Sequence, residues 1–412
     1  MKTRVLLLGC LLAMASHAES ATRTEIWEWK DADGVRHYSD APVPGEPLPP
    51  EEEEIKAIYF ASQWKLIWWK FRKHRMATIA GPILILLYLT ALFADFVSPT
   101  LPATRFAQYK SAPPQMIRIY SAETGFRGPF IYEIKRETDP RTFRRHYVVD
   151  RSVRYPVSFF VRGEPYKLIG LIRTDIHLFG SEGPLLLLGS DVLGRDLFTR
   201  ILYGSRISLS VGLVGVALTF SLGMFLGGIS GYLGGLVDTI IQRVIDLLVC
   251  MPTAPLWMAL AAALPRNWPT LRMYIGIVII TSVIGWGGLA RVVRGKLLSV
   301  RELDFCMAAR LAGASDLHII ARHLLPSMSS YIIVSLTLSI PRTILGETSL
   351  SFLGLGLQAP VVSWGVLLRD AQDLSAIGLH PWLLLPALWV VVTVLMYNFL
   401  GDGLRDAADP YK

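Results

Sequence analysis

Six apolar runs, each about the 20 residues that a bilayer core requires, constrain this chain more than any other feature. They lie near residues 77–97, 209–229, 240–263, 273–292, 328–350 and 382–401. A segment in lipid must satisfy its own backbone hydrogen bonds, so each run predicts a helix, with a kink at Pro341 in the fifth. The predicted fold class is therefore an all-α integral membrane protein, a six-helix bundle.

Composition and charge agree. Of 412 residues, 52% are hydrophobic and 18% charged, with a mean hydropathy of +0.42, against roughly 25% charged residues in ordinary soluble domains. The net charge of +8 is not a nucleic-acid signal: no basic stripe with interleaved aromatics occurs, and the cations crowd beside apolar runs. Lys70, Arg72, Lys73 and Arg75 precede the first run, which makes that side cytoplasmic by the positive-inside rule. Six crossings return the chain to the same side, where Arg291, Arg294, Lys296 and Arg301 also fall. Cys10, Cys250 and Cys306 are far apart and lack metal-ligand spacing, so neither a disulfide framework nor a metal site is expected.

Between the fourth and fifth runs lies a polar, helix-forming island, residues 302–326. Gly313 interrupts its helical pattern. Ser315 then offers an N-cap oxygen and Asp316 a negative charge at the new helix's positive end, and Pro326 closes that helix. The pattern Ala308-Ala309-Arg310, Gly313-Ala314-Ser315, Ile319-Ile320 and Leu325-Pro326 resembles the cytoplasmic loop of binding-protein-dependent ABC importer permeases. In that family the loop forms a coupling helix that docks on the ATPase subunit. The resemblance thus implies ATPase coupling for Ala308, Ala309, Arg310, Gly313, Ala314, Ser315, Ile320, Leu325 and Pro326. Where the family has a glutamate before the paired alanines, this chain has Met307.

The resemblance extends over about residues 62–97 and 185–412. Gly189-Ser-Asp-Val-Leu-Gly-Arg-Asp-Leu-Phe-Thr-Arg-Ile-Leu-Tyr-Gly-Ser-Arg-Ile-Ser-Leu209 is similar to the lead-in to the second span of the dipeptide, oligopeptide and nickel branch, and Gly231-Tyr-Leu-Gly-Gly-Leu-Val-Asp238 to its next cytoplasmic turn. Glu347-Thr-Ser-Leu-Ser-Phe-Leu-Gly-Leu-Gly356, Ser363-Trp-Gly365 and Gly401-Asp-Gly-Leu-Arg-Asp-Ala-Ala-Asp-Pro410 resemble its C-terminal third, of the C-type subunit. The resemblance implies a B-type permease partner, two ATPase subunits that bind ATP and Mg, a periplasmic solute-binding protein, a multi-pass inner-membrane location, and alternating access with peptides or similar small solutes as cargo. No cofactor is implied in this chain itself, which is then a transport subunit and not an enzyme.

Individual residues carry further expectations. Asp191, Arg195 and Asp196 with Gly194 read as a turn held by local hydrogen bonds and ion pairs. Gly223, Gly227 and Gly228 permit close helix approach in lipid. Glu347 lies within a predicted span, and an ionisable group there is a functional-site candidate by default: it faces a wet pathway, meets the partner permease, or sits at the outer interface through an early helix end. Residues 98–208 form a periplasmic insertion in which Tyr147-Val-Val149 and Val157-Ser-Phe-Phe-Val161 predict short strands, either a platform for the binding protein or a solvated cap.

The first 61 residues sit awkwardly beside this topology. Residues 1–18 resemble a secretory signal, and residues 19–46 resemble a small exported bacterial domain of unknown function, with Asp33-Gly34 predicting a hairpin turn. Residues 47–61 then continue as a polar linker into the cytoplasmic lead-in, 62–97, ahead of the insertion and the core permease, 209–412. An exported N-terminus conflicts with a cytoplasmic start to the first span, which leaves a misassigned start or gene fusion, a silent signal, or an additional span. Other functional classes lack their signatures. There is no G-x-x-x-x-G-K-[ST] nucleotide loop, no internal repeat of the kind that marks a secondary transporter, and no nucleophile–base pair or metal cluster in the runs.

Overall fold

The computed structural model describes residues 27–30, 36–39 and 63–408, apart from 122–124, 139, 142, 144, 266, 301–302, 320–321 and 323–327. The chain divides into two compact units, Met1–Leu66 and Ile67–Lys412. In the first, β1 (Trp27–Lys30) pairs antiparallel with β2 (Arg36–Ser39), Trp27 opposite Ser39. These strands flank the expected turn, whose residues, like the signal-like residues 1–18, lie outside the described set.

The division falls within α1 (Gln63–Lys73); α2 (Arg75–Leu92) follows after His74, whose ring Nδ1 caps α2 by accepting from Ala77 N at 3.1 Å. A short α3 (Ala94–Val97) leads into a four-stranded antiparallel sheet: β3 (Arg118–Ser121), β4 (Gly125–Thr138), β5 (Arg145–Leu168) and β6 (Ile172–Ser181), in that order. The two short strands expected around 147–149 and 157–161 are one strand of 24 residues. Its first half pairs with β4 and its second with β6. Pro156 stands at the changeover, where its missing N–H does not break a ladder flanked on both sides.

The remaining elements are helical. They are α4 (Leu197–Leu233), α5 (Gly235–Cys250), α6 (Thr253–Ala262), α7 (Thr270–Val300), α8 (Asp304–Leu311), α9 (Asp316–Ile319), α10 (Ser329–Phe352), α11 (Trp364–Arg369), α12 (Leu374–Leu379) and α13 (Leu385–Ala408). Among the described residues, α2, α4, α7 and the stretch Pro381–Ala408 are long and apolar enough to cross a membrane. The run expected as one straight span at 240–263 is instead α5 and α6, bent by 92°. Pro252 supplies no N–H and forces Met251 into an extended conformation (φ −87, ψ 135), which ends α5. Counted as one span, this pair makes five. α10 has the length, with Pro341 inside it, but its serines, threonines, Arg342 and Glu347 keep it below the same apolar mark.

The main core gathers Leu84 of α2, Leu209 and Val216 of α4, Ile340 and Ile344 of α10, Trp364, and Val390 and Tyr397 of α13. Tyr88 and Tyr397 share a hydroxyl hydrogen bond of 2.6 Å inside it. α4 meets α7 along glycines, among them the expected Gly223 and Gly227, and also Gly231. A Cβ on Gly227 would stand 2.6 Å from the Ala290 carbonyl oxygen, and one on Gly231 2.9 Å from Arg294 Cα.

Candidate coupling site

The polar island folds as two short helices across the ends of the long ones. α8 and α9 are divided by Gly313 at φ +83, a left-handed conformation that glycine adopts without steric cost. The α8 end closes through Ala312 N to Ala308 O at 2.9 Å and Ala314 N to Ala309 O at 3.1 Å. Ser315 accepts from His318 N at 3.4 Å, a long N-cap bond, while Ile319 N donates to Ser315 O at 3.0 Å.

One side of this pair is anchored. Cys306 and Ile319 are buried with Tyr232 of α4, Val293 and Leu297 of α7 and Met328, and Ala309 and Ala314 pack against the same cluster. The other side is open: Leu303, Met307 and Leu311 follow each other at i, i+4 spacing and are 48%, 48% and 88% exposed, with Ala308, Gly313, Ser315 and His318 also on the surface. The backbone of Arg310 lies in α8; Ile320, Leu325 and Pro326 lie outside the described residues. The exposed apolar stripe is the part the sequence reading missed. Its signal was present, because Met307 replaces the family's glutamate at the centre of the stripe.

Glu347 is elsewhere. Its carboxyl is fully buried, accepting from Ser351 Oγ at 2.8 Å and Ser208 Oγ at 3.2 Å. Ser208 Oγ in turn accepts from Trp364 N at 3.1 Å, and Ser351 Oγ from Leu357 N at 3.0 Å. The carboxyl thus links α4, α10 and the segment leading into α11, enclosed by its own chain. Tyr232, in the cluster under α8, lies 24 residues further along α4 than Ser208, roughly 36 Å at 1.5 Å per residue. The two candidate regions are not brought together.

The Gly189–Asp196 turn is held by local bonds. Asp191 Oδ1 accepts from Leu193 N at 2.8 Å and Arg195 N at 2.9 Å, and its other oxygen from Arg195 Nε at 2.6 Å. The same oxygen meets Arg200 of α4, a buried guanidinium that the sequence reading did not single out. Asp196 caps α4, accepting from Thr199 N at 2.9 Å; burial pushes its carboxyl up to about 6. Among the described residues no group of three or more His, Cys, Asp and Glu gathers as a metal site.

Comparison with known proteins gives these features a family. The model of the binding-protein-dependent transport system inner membrane component matches residues 223–411, and that of the N-terminal TM domain of oligopeptide transport permease C matches 62–114. The dipeptide transport system permease protein DppC of Bacillus subtilis is 41% identical over 223 residues, 54% of this chain and 68% of the relative. The chain belongs to the binding-protein-dependent permease family. Other relatives of this permease include the oligopeptide transport system permease protein OppC of Haemophilus influenzae (40% identical, covering 54% of this chain and 69% of the relative). The glutathione transport system permease protein GsiD of Pectobacterium atrosepticum is also 40% identical, covering 56% and 75%. A domain of unknown function (DUF4124) matches residues 9–58. Among solved structures, an inward-facing MetNI methionine ABC transporter chain aligns with 51% of the permease and 96% of its own length, at 16% identity and a TM-score of 0.37. That score is too low to bear on the fold. Residues 115–222, which include the sheet, lie between the two matched regions.

Proposed function

We propose that this permease is one of two membrane-spanning subunits of an importer for small peptides or similar solutes, driven by ATP hydrolysed on separate subunits. The observation that carries the reading is the exposed Leu303, Met307 and Leu311 stripe on a helix whose other side is packed into the bundle. Exposed apolar residues at helical spacing fit a groove on a partner, and the partner is the ATPase subunit, which binds ATP and Mg. The coupling residues are then Ala308, Ala309, Arg310, Gly313, Ala314, Ser315, Ile320, Leu325 and Pro326. Peptide cargo is supported by the relatives' names, which speak of dipeptides, oligopeptides and glutathione.

Six spans follow if the bent α5–α6 pair and α10 each count as one. The polar content of α10 suits a face turned to the B-type permease or to the solute path better than one turned to lipid. Glu347 then serves as an internal tie behind that face. With the cations of residues 70–75 on the cytoplasmic side of an inner membrane, α8 is cytoplasmic and the sheet is periplasmic, where it meets the solute-binding protein.

The test is uptake of a labelled tripeptide by proteoliposomes holding all subunits. Leu311→Glu should abolish uptake while membrane insertion and thermal stability stay as in the parent, and Leu311→Met should keep uptake. Normal uptake by Leu311→Glu would remove the docking reading.

A further inference from the structure

We infer that the β5–β6 hairpin is a lipid anchor, its tip dipping into the leaflet at the 89–97 end of α2 with Lys167 and Arg173 at headgroup level. The inference rests on the reading of α2 as a membrane span. The tip, residues 168–172, reads Leu-Ile-Gly-Leu-Ile and carries no polar side chain. Leu171 is 82% exposed and Ile172 64%. Ile169 takes φ +50 and Gly170 φ +74, a region where a β-branched residue is an outlier and Asn or Gly is the easy choice. The turn thus accepts backbone strain and presents an apolar side chain at its end.

The depth of the tip is fixed by the hairpin's attachment to the chain that leaves α3. His177 Nδ1 lies 2.6 Å from Ser98 O, and Glu164 Oε2 accepts from Leu101 N at 3.0 Å and Thr104 Oγ1 at 2.7 Å. From His177 back to Ile172 is five residues of strand, about 16 Å at 3.3 Å per residue. From Ser98 back to Leu89 is nine residues, about 14 Å if wholly helical. The two paths are therefore of similar length. Leu168 accordingly lines an apolar hollow of about 480 Å³ together with Leu89, Phe93, Phe96 and Val97. Phe160 stands over Phe96 with ring centroids 6.3 Å apart. The tip continues the outward flank of α2, where Ile85, Leu86, Leu89 and Leu92 are exposed.

Charge points the same way. Lys167 and Arg173 are cross-strand partners immediately behind the tip. Like charges directly opposite each other destabilise a ladder, and lipid phosphates at that level supply the missing anion. An apolar end with cations one step behind is the arrangement of an interfacial anchor.

The experiment uses the full chain with Cys10, Cys250 and Cys306 replaced by alanine, in vesicles of phosphatidylcholine and phosphatidylglycerol. A polarity-sensitive fluorophore is attached at Leu171→Cys, at Phe143→Cys near the opposite end of β5, or at Leu86→Cys in the span. The Leu171→Cys label should show blue-shifted emission and lose intensity to a nitroxide-bearing lipid as the Leu86→Cys label does, while the Phe143→Cys label responds to aqueous iodide alone. Iodide quenching at Leu171→Cys would overturn the proposal, and so would shielding from both quenchers, which would mean a protein partner covers the tip. If Leu86→Cys also escapes the lipid quencher, the span reading fails and this proposal fails with it. Adding Lys167→Gln and Arg173→Gln to Leu171→Cys should weaken the lipid quenching, and no change would refute the headgroup role.

Discussion

Arg294 grips Asp238 at two points, Nε to Oδ1 and Nη2 to Oδ2, both at 2.5 Å. Ser230 Oγ donates to the same carboxylate at 2.5 Å, and Gln242 Nε2 donates to Ser230 at 3.1 Å. The turn between α4 and α5 is thereby tied to the α8 end of α7, directly beside the cluster on which α8 and α9 sit. Planar two-point recognition needs a guanidinium, so Arg294→Lys should destabilise the protein although it keeps the charge. Charge-assisted hydrogen bonds contribute about 1.5–3 kcal/mol. Arg294 is 31% exposed, and solvent screening reduces the expected loss to about 1–2 kcal/mol. A double-mutant cycle with Asp238→Asn, read by thermal unfolding in detergent, checks it; additive losses would mean the pair contributes nothing.

Glu347 separates structural from transport roles. Glu347→Gln keeps one acceptor oxygen and turns the other into an amide donor, which a serine hydroxyl can meet by accepting, so stability should change by only about 1 kcal/mol. Glu347→Ala leaves buried hydroxyls unpaired and opens a cavity, at a cost of about 2–4 kcal/mol. Uptake should follow stability in both variants. Loss of uptake in a Glu347→Gln protein of unchanged melting temperature would assign the carboxyl to the solute path.

Gly313→Asp probes the coupling turn. A Cβ there meets nothing within 4 Å, so within the chain the only cost is the left-handed backbone, about 1 kcal/mol for a residue that tolerates it as Asp does. The variant should insert and fold, yet fail to transport, because the added bulk and charge meet the ATPase. Full uptake by well-inserted Gly313→Asp protein would contradict this.

The sheet stands on a base that the flanking chain closes for itself. Gln115 N donates to Leu186 O at 2.9 Å and Leu186 N to Gln115 Oε1 at 2.7 Å, which closes the base of the insertion. Replacing residues 118–181 with a short Gly-Ser link should leave basal ATPase activity of the assembled complex near normal and weaken its stimulation by loaded binding protein. Equal loss of both would favour a scaffold role.

Asp196 predicts a pH effect. Burial raises its carboxyl to about 6, above the ordinary 3.9 of an unfolded Asp, so the folded state binds the proton more tightly. This group's contribution to stability therefore rises as pH falls from 7 through 6 towards 4, by about 3 kcal/mol in full. Asp196→Asn keeps a cap acceptor and should be the more stable form at pH 7, with the gap about halved at pH 5 and closed below about pH 4. A gap independent of pH would refute the assignment.

Much of the bundle and the coupling turn was legible because the signals are local: apolar runs of span length, a helix-breaking Gly313, an N-cap at Ser315. The bend at Met251–Pro252 was written in the sequence as well, but an unbroken apolar run concealed what one missing N–H does to a helix. The length of β5 was hidden because its two halves take different partners, so neither Pro156 nor the glycines mark its ends. The partners of Glu347 were invisible for a different reason: Ser208 is 139 positions away, and no local pattern records that distance. Leu303, Met307 and Leu311 read as ordinary helix residues until the packed side of α8 shows which face is left over.

The backbone contact of α4 with α7 has a mechanical consequence. With Gly227 and Gly231 against Ala290 and Arg294, the two helices meet backbone to backbone at these positions, so sliding one past the other there would drive backbone into backbone. The pair is thereby stiffened over these positions, with α8 and α9 packed on its end. In the proposed function, a push at Leu311 passes into this pair, and the bend available to flex beside it is the one at Met251–Pro252.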